Sequence, residues 1–379
     1  MSRGPLSGIK VIEMAAIGPV PFAGMLLADM GAEVIRIDRT APSGLGVEVQ
    51  PQFDCLGRGK KSICVDVKSP AGVDILKKLI AETNILIEGF RPQVMERLGL
   101  GPHECLAINP KLVFGRCSGW SEPGPLAAYA GHDINFVGLS GALAAMGVTG
   151  IPTPPLNLVG DFGGAGMHLA VGVLAGLVSG KGQVVNASIA GGTLGLMPMI
   201  YGLFAQDEWT TKRGDNLLDG GGPFYRCYET KDDKFVAVGA LERKFYTELL
   251  AKLDLIGVVN PDQQYDRATW PATTDVLARK FRERSRDEWA AYFANTNACV
   301  TPVLTLDEAP QHPQQVSSFV KVGDVVQPMP QPQFSGSGAA PNPPPANGAQ
   351  TREILSSLNY SQREIDAMVR SSIIACADV

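Results

Sequence analysis

The segments Ile9-Lys10-Val11-Ile12-Glu13-Met14 and Glu33-Val34-Ile35-Arg36-Ile37-Asp38 flank a loop, Ile17-Gly18-Pro19-Val20-Pro21, and a run with helical spacing, Phe22–Met30, that stops at Gly31. The first segment alternates and is rich in β-forming residues, so it reads as a strand. Gly31 suits the position just past a helix end. The second strand is apolar almost throughout, as a parallel sheet covered on both faces requires. These pieces form a βαβ unit, and they make the chain an α/β protein.

The alternation continues outward. Ser62–Val67 reads as a strand, Ala71–Glu82 as a helix, and Asn84–Glu88 and Leu112–Cys117 as further strands. Helices then cover both faces of the sheet, and ligands are expected off the carboxyl ends of its strands. The stretch 165–178 is apolar and glycine-rich and reads as a buried helix. It is shorter than the roughly 18–20 apolar residues that a membrane span needs, so no span is expected. From about Gly220 the texture changes. Phe224–Glu229 and Lys234–Gly239 read as a hairpin, with helices at 243–253 and 274–294, which suggests a small α+β domain. The stretch 327–349, rich in Pro, Gly, Ser, Asn and Gln, reads as an extended crossing segment. Ser361 and Glu364 form a capping box that opens a last helix.

The chain has 379 residues, too many for one ordinary core, and 45% of them are apolar. Its net charge is −5, which argues against a nucleic-acid partner. The seven cysteines are scattered and form no CxxC, which argues against a disulfide framework and a structural zinc site and suits a reducing cytoplasm. The opening Met1-Ser2-Arg3-Gly4-Pro5 does not read as a signal peptide.

Three groups of residues can carry chemistry. The first is Gly131-His132-Asp133-Ile134-Asn135-Phe136. His132 is one of only four histidines, and it stands at a helix start, where the imidazole is held neutral as a base requires. Local capping or packing would place a histidine there equally well. His103 and His312 read as surface residues and His168 as a satisfied core histidine. The second group is Asn157-Leu158-Val159-Gly160-Asp161-Phe162-Gly163-Gly164-Ala165-Gly166. Here a carboxylate precedes a glycine-rich turn whose amides, including those of Gly163 and Gly164, are placed to meet an oxyanion. Asp161 is open to three roles: proton donor, nucleophile or helix N-cap. Asp-Phe-Gly without an HRD motif does not make a kinase. The third group is basic: Arg39, Arg58-Gly59-Lys60-Lys61, Arg91 and Arg97. These residues follow strand ends, where they can hold phosphates or remain solvated charge. Neither GxGxxG nor a Walker motif is present, so NAD and ATP are not expected.

In this order the three groups resemble the class III CoA-transferase family, in particular its α-methylacyl-CoA racemase branch. Further carriers are Pro5–Glu13, Gly31–Arg39, Glu96-Arg97-Leu98-Gly99-Leu100-Gly101-Pro102, Asn216–Gly221, Val238-Gly239-Ala240-Leu241-Glu242 and Ala298–Val303. The resemblance implies an interlocked homodimer. Its Rossmann-like large domain would comprise 1–188 and 322–379 and its small α+β domain 222–306, with linkers at 189–221 and 307–321. It implies racemisation of 2-methylacyl-CoA thioesters, in fatty acid and lipid metabolism, through an enolate and without a metal or redox cofactor. His132 and Asp161 would flank the α-carbon, with Glu242 of the partner subunit orienting the histidine. The CoA moiety would lie along Arg39, Val65, Asp66, Val67 and Lys68, then Gly89, Phe90, Arg91, Pro92 and Arg97. Gly131, Asp133, Ile134, Asn135 and Phe136 would lie near the thioester. Met197, Met199 and Phe204 fit either an apolar acyl-tail surface or core packing. In the family's transferases the residue matching Asp161 is a nucleophile, and a histidine at the place of His132 is generally absent; a non-catalytic acyl-CoA-binding paralogue, the other alternative, would have lost His132, Asp161 or Glu242, all of which are present. The segment Leu177–Gln183 is shorter than is usual in the family, and Asn186 stands where an aspartate is common.

Overall fold

Three consecutive hydrophobic strands, each buried on both faces, form the centre of the structure, a computed structural model that describes residues 4–41, 44, 46, 47, 49–148, 150–335 and 341–377. Met1–Arg3 of the opening segment and residues 336–340 of the Pro/Gly-rich stretch lie outside the described residues. The elements begin with β1 (Lys10–Met14), α1 (Pro19–Asp29), β2 (Glu33–Asp38), β3 (Lys61–Val65), α2 (Pro70–Ala81), β4 (Ile85–Glu88), α3 (Val94–Arg97), α4 (Pro102–Ile108), β5 (Val113–Ser118), α5 (Asp133–Leu139) and α6 (Ala142–Ala145). A π-helical segment, Leu158–Gly166, then runs directly into α7 (Met167–Ser179), followed by β6 (Gln183–Ser188), α8 (Ile189–Gly195) and α9 (Pro198–Ala205). Next come β7 (Tyr225–Glu229), β8 (Phe235–Gly239), α10 (Arg243–Lys252), α11 (Trp270–Phe281), α12 (Arg286–Phe293) and β9 (Val300–Pro302). The chain ends with β10 (Phe319–Val322), β11 (Val325–Pro328), α13 (Thr351–Ser357), α14 (Gln362–Arg370) and β12 (Ile374–Ala375).

The chain divides into two compact units. The larger comprises Met1–Ser140, Leu156–Leu196 and Pro313–Val379, and the smaller Gly141–Pro155 and Met197–His312. This differs from the expected boundaries. α8 belongs to the large unit, and 197–221 and 307–312 belong to the small one rather than to linkers. Residues 141–155 also leave the large unit, which no shift in composition announces.

In the large unit a seven-stranded sheet runs β12-β3-β2-β1-β4-β5-β6, with only β12 antiparallel to its neighbour. The parallel order 3-2-1-4-5-6 is that of a doubly wound, Rossmann-like sheet, and it reverses between β1 and β4. The α/β class is borne out. Val20, Ala23 and Leu27 of α1 share one apolar cluster with Leu169 and Val173 of α7, while Ile75, Leu76 and Leu79 of α2 belong to another with Ile12 and Ile63. Two helix limits differ from expectation. α1 begins at Pro19 rather than Phe22, because proline is tolerated in a first turn, where its missing N–H costs nothing. α7 is buried along one face only: Leu169, Ala170, Val173 and Gly176 are inside, whereas Met167, Val171 and Val178 are exposed. With the π-helical segment it makes a 22-residue run, long and apolar enough to cross a membrane by length and composition alone.

The small unit pairs β7-β8-β9 in an antiparallel sheet, and its core collects Phe224, Tyr246, Trp270, Phe281 and Trp289. The helix expected over 274–294 is two helices. Ser285 caps α12 with Glu288 in a capping box that ends one helical direction and starts another. The capping box at Ser361 and Glu364 opens α14 as expected.

The basic turn Arg58–Lys61 is not a phosphate site. Lys60 Nζ lies 2.6 Å from Glu13 Oε2 with both side chains fully buried, and it also donates to Pro21 O in the first turn of α1. Arg58 pairs with Asp29, and Lys61 with Glu33 and Glu353. Burial pushes the Glu13 carboxyl up and the Lys60 ammonium down, and each opposes the shift in the other. These charges therefore fasten α1 to the sheet. Lys60→Met should cost about 3–5 kcal/mol in urea denaturation, because it strands a buried carboxylate, and a second change, Glu13→Leu, should recover most of that loss.

Candidate active site

At the carboxyl ends of the parallel strands, where the strand order reverses, lies a cavity of about 800 Å³. Each strand contributes a lip: Met14 and Gly18 from β1 and its loop, Ile37–Arg39 from β2, Val65–Lys68 from β3, Gly89–Pro92 from β4, Cys117–Trp120 from β5 and Ile189 after β6. Gly131, His132, Asp133, Phe136 and Asp161 complete the wall. The expected residues Arg39, Val65, Asp66, Val67, Lys68, Gly89, Phe90, Arg91 and Pro92 are thus brought together. Arg39, Lys68 and Arg91 are its basic groups, and all three are exposed. Arg97, Ile134 and Asn135 are not part of its lining. Asn135 instead uses Oδ1 to accept the His132 N–H at 3.0 Å.

His132 is the N-cap of α5, as expected, with extended backbone. Asp161 is not an N-cap. It lies inside the π-helical segment Leu158–Gly166, and its own N–H donates to Asp133 Oδ1 at 2.7 Å. Its carboxylate is therefore released from backbone duty. The expected glycine-rich turn is corrected at the same point. The i→i+5 ladder of a π-helix takes in the amides of Gly163 and Gly164, so they are not open oxyanion donors. π-helical geometry has no distinctive sequence pattern, which is why the turn was the natural reading.

Asp161 has closely fitted neighbours. Gly18, at φ +71°, faces it so closely that an added Cβ would stand 2.7 Å from Asp161 Oδ2. Phe162 stacks on Phe22 of α1, with ring centroids 4.5 Å apart and planes 11° from parallel. Asn157 Nδ2 reaches Asp161 Oδ2 at 3.5 Å. Burial, reinforced by the like charge of Asp133, lifts the Asp161 carboxyl to about 6, while Asn157 and His132 pull the other way. A carboxyl group there is present in both protonation states near neutral pH.

The sequence reading missed Trp120, Tyr129 and Gly18. Trp120 packs edge-on against Phe136, with centroids 4.6 Å apart, and donates to Tyr129 O at 3.2 Å. The Gly18-Pro19 pair in the loop after the first strand is the signal that the sequence carries. His168 is exposed rather than in the core, its ring bonded to Gly164 O. Glu242 belongs to the small unit, where it is exposed at the start of α10. Burial, and then the charge of Glu242, pushes up both the Tyr265 hydroxyl and the Cys299 thiol. Met197 and Phe204 line a second cavity, of about 200 Å³, with Ile200, Tyr201 and Trp209. Met199 is exposed and does not line it, and no residue of α9 is buried, so core packing does not describe this helix.

Residues 6–351 match the family model described as CoA-transferase family III. An alpha-methylacyl-CoA racemase of Mus musculus is 41% identical over 370 residues, covering 95% of each chain. The protein of that name from Homo sapiens is 39% identical over 379 residues, covering 97% of each. The crystal structure of a CAIB/BAIF family protein from Brucella suis superposes with a TM-score of 0.76 at 22% identity, covering 94% of this chain and all of that one.

The elevated Asp161 carboxyl has a measurable consequence for stability. An unfolded aspartate titrates near pH 4 and this one near 6, so between those values the folded state holds the extra proton and stability falls as pH rises. Thermal melts of Asp161→Asn should lack that decline, leaving the variant favoured over wild type above pH 6 more than below pH 4.

Proposed function

The chain belongs to CoA-transferase family III, and from that premise we propose that it is an acyl-CoA racemase that inverts the α-carbon of 2-methylacyl-CoA thioesters. The observation that carries this reading is the presence of His132 and Asp161 on one cavity wall, with the Asp161 carboxyl lifted to about 6. The names of the relatives at 39–41% identity support it.

Inversion by 1,1-proton transfer needs a base on one face of the α-carbon and an acid on the other. One group takes the α-proton, and the electron pair moves onto the thioester oxygen. The second group then protonates the opposite face. A positioned acid or base contributes roughly 10²–10⁴-fold each. Near neutral pH Asp161 can start in either role. Removal and return of a proton is redox-neutral, so no electron carrier takes part, and on this reading His132 and Asp161 carry the proton without a metal. Arg39, Lys68 and Arg91 give the cavity the cationic groups that CoA phosphates need.

The working unit on this reading is a homodimer, with Glu242 of the partner subunit orienting His132. The exposed apolar row Met167, Val171 and Val178 on α7 supports self-association. We place the enzyme in the cytoplasm on its scattered cysteines without CxxC spacing.

Incubating one enantiomer of a 2-methylacyl-CoA in D2O should deliver deuterium to C2 with loss of optical purity. CoA moving to a free carboxylic acid, without exchange, would mean the transferase chemistry of the family instead. His132→Ala and Asp161→Ala should each reduce exchange by about 10²-fold or more, with CoA binding by calorimetry within a few-fold of wild type. For the dimer, co-expressed His132→Ala and Glu242→Gln chains should regain activity that neither homodimer has, because one site of the mixed dimer is intact. No recovery would place Glu242 in the same chain's site or outside the reaction.

A further inference from the structure

Asp133 follows His132 directly, yet its side chain serves a different element. Its carboxylate accepts the Asp161 N–H at 2.7 Å, across 28 residues of chain, and the neighbouring Gly160 N–H as well. The seat is closely fitted at Gly160. A Cβ there would lie 2.2 Å from Asp133 Oδ1 and 2.8 Å from Val137 Cγ2. On the other side, the Phe22–Phe162 stack and the close face of Gly18 hold the same turn against α1. His132 in turn is held by Asn135 Oδ1. Asp133, next to one proton-transfer group in the chain, therefore holds the peptide that carries the other.

We propose that Asp133 is a positioning residue whose side chain ties the Asp161 turn to the start of α5 and so fixes the separation of Asp161 from His132. It deepens the acid/base reading above and rests on it. The tie has two components, an accepting oxygen and a negative charge, and they act differently. The oxygen sets where Asp161 stands. The charge adds to its proton affinity, alongside burial and against His132 and Asn157. The other titratable group facing Asp161 is the Cys117 thiol at the end of β5, itself raised by burial and then by the charge of Asp161.

The two components separate by substitution. Asp133→Asn keeps an accepting oxygen and removes the charge, whereas Asp133→Ala removes both. In the deuterium-exchange assay Asp133→Ala should lose about 10²-fold in kcat, the scale of an ångström-sized misplacement, with KM within two-fold. Asp133→Asn should keep kcat within a few-fold at its pH plateau, while the acid limb of its profile moves to lower pH. A rise in KM alone for Asp133→Ala would make Asp133 a substrate-binding residue and overturn the proposal, as would equal kcat losses in the two variants. An independent readout needs no turnover. Infrared titration of the Asp161 carboxyl, identified by difference from Asp161→Asn, should give a lower midpoint in Asp133→Asn than in wild type. An unchanged midpoint overturns the proposal even if Asp133→Ala fails to fold. If the wild-type enzyme shows no exchange, the racemase reading falls, while this titration still decides whether Asp133 acts on Asp161.

Discussion

The strand order reverses between β1 and β4, and the rest of the site depends on that reversal. Connections that leave β1 and β4 in opposite directions cannot both close over the same edge, so a crevice opens at their carboxyl ends. Every loop that leaves a parallel strand must then pass its rim. That alone collects Gly18, Arg39, Lys68, Phe90 and Trp120, which are distant in sequence, around one cavity. The arrangement needs α1 to be firmly seated, since its first turn forms the wall against Asp161. The Lys60–Glu13 pair supplies that seat from beneath, through the bond from Lys60 to Pro21 O. A buried ion pair is a costly fastening compared with an apolar one, but it fixes the turn that carries Gly18 directionally, which dispersion contacts alone do not.

The same economy of polar groups governs the site. Carboxylates that face the sheet interior are each matched to a defined donor: Glu13 to Lys60, and Glu88 to Arg116 and the Phe90 N–H. Asp161 is the exception on the cavity wall. Its partner, Asn157, is neutral and at 3.5 Å, and the charge that acts on it most, that of Asp133 at the start of α5, has the same sign. A carboxyl group so placed is kept from being permanently ionised. Structural ion pairs fix a charge, whereas a proton-transfer group has to gain and lose one, and the Asp161 carboxyl, unlike that of Glu13, meets that requirement.

The parts legible in the sequence were those governed by local pattern. Alternation and the apolar second strand gave β1, β2 and the parallel sheet, and the Ser361–Glu364 pair gave a helix start. The glycine and proline limits are less legible, because Pro19 both ends a strand loop and begins a helix. What pattern could not reach was pairing at a distance. The cluster Arg58–Lys61 has the composition of a phosphate site, and only the fold brings Glu13, Asp29 and Glu33 to it. The π-helical segment was equally hidden, since Gly160 and Gly164 suit a turn as well as a tightly packed helix. The resemblance to the family named His132 and Asp161, but their surroundings, above all the bond from the Asp161 amide to Asp133, belong to the three-dimensional structure.

These surroundings bear on which of the family's two chemistries the site is built for. Transfer of CoA through an anhydride needs one nucleophilic carboxylate and no proton partner at the α-carbon. Inversion cannot be done by one group, because a single base that removes a proton returns it to the face it came from. A second, independently placed proton carrier is the minimum addition, and it is useful only if its distance from the first is held constant while substrates bind and leave. Here the chain places a histidine at a helix start, and the next residue reaches across to hold the peptide of Asp161. A nucleophile acting alone needs its own place fixed against the thioester, but not its distance from a histidine. A pair of proton carriers working on opposite faces of one carbon depends on it.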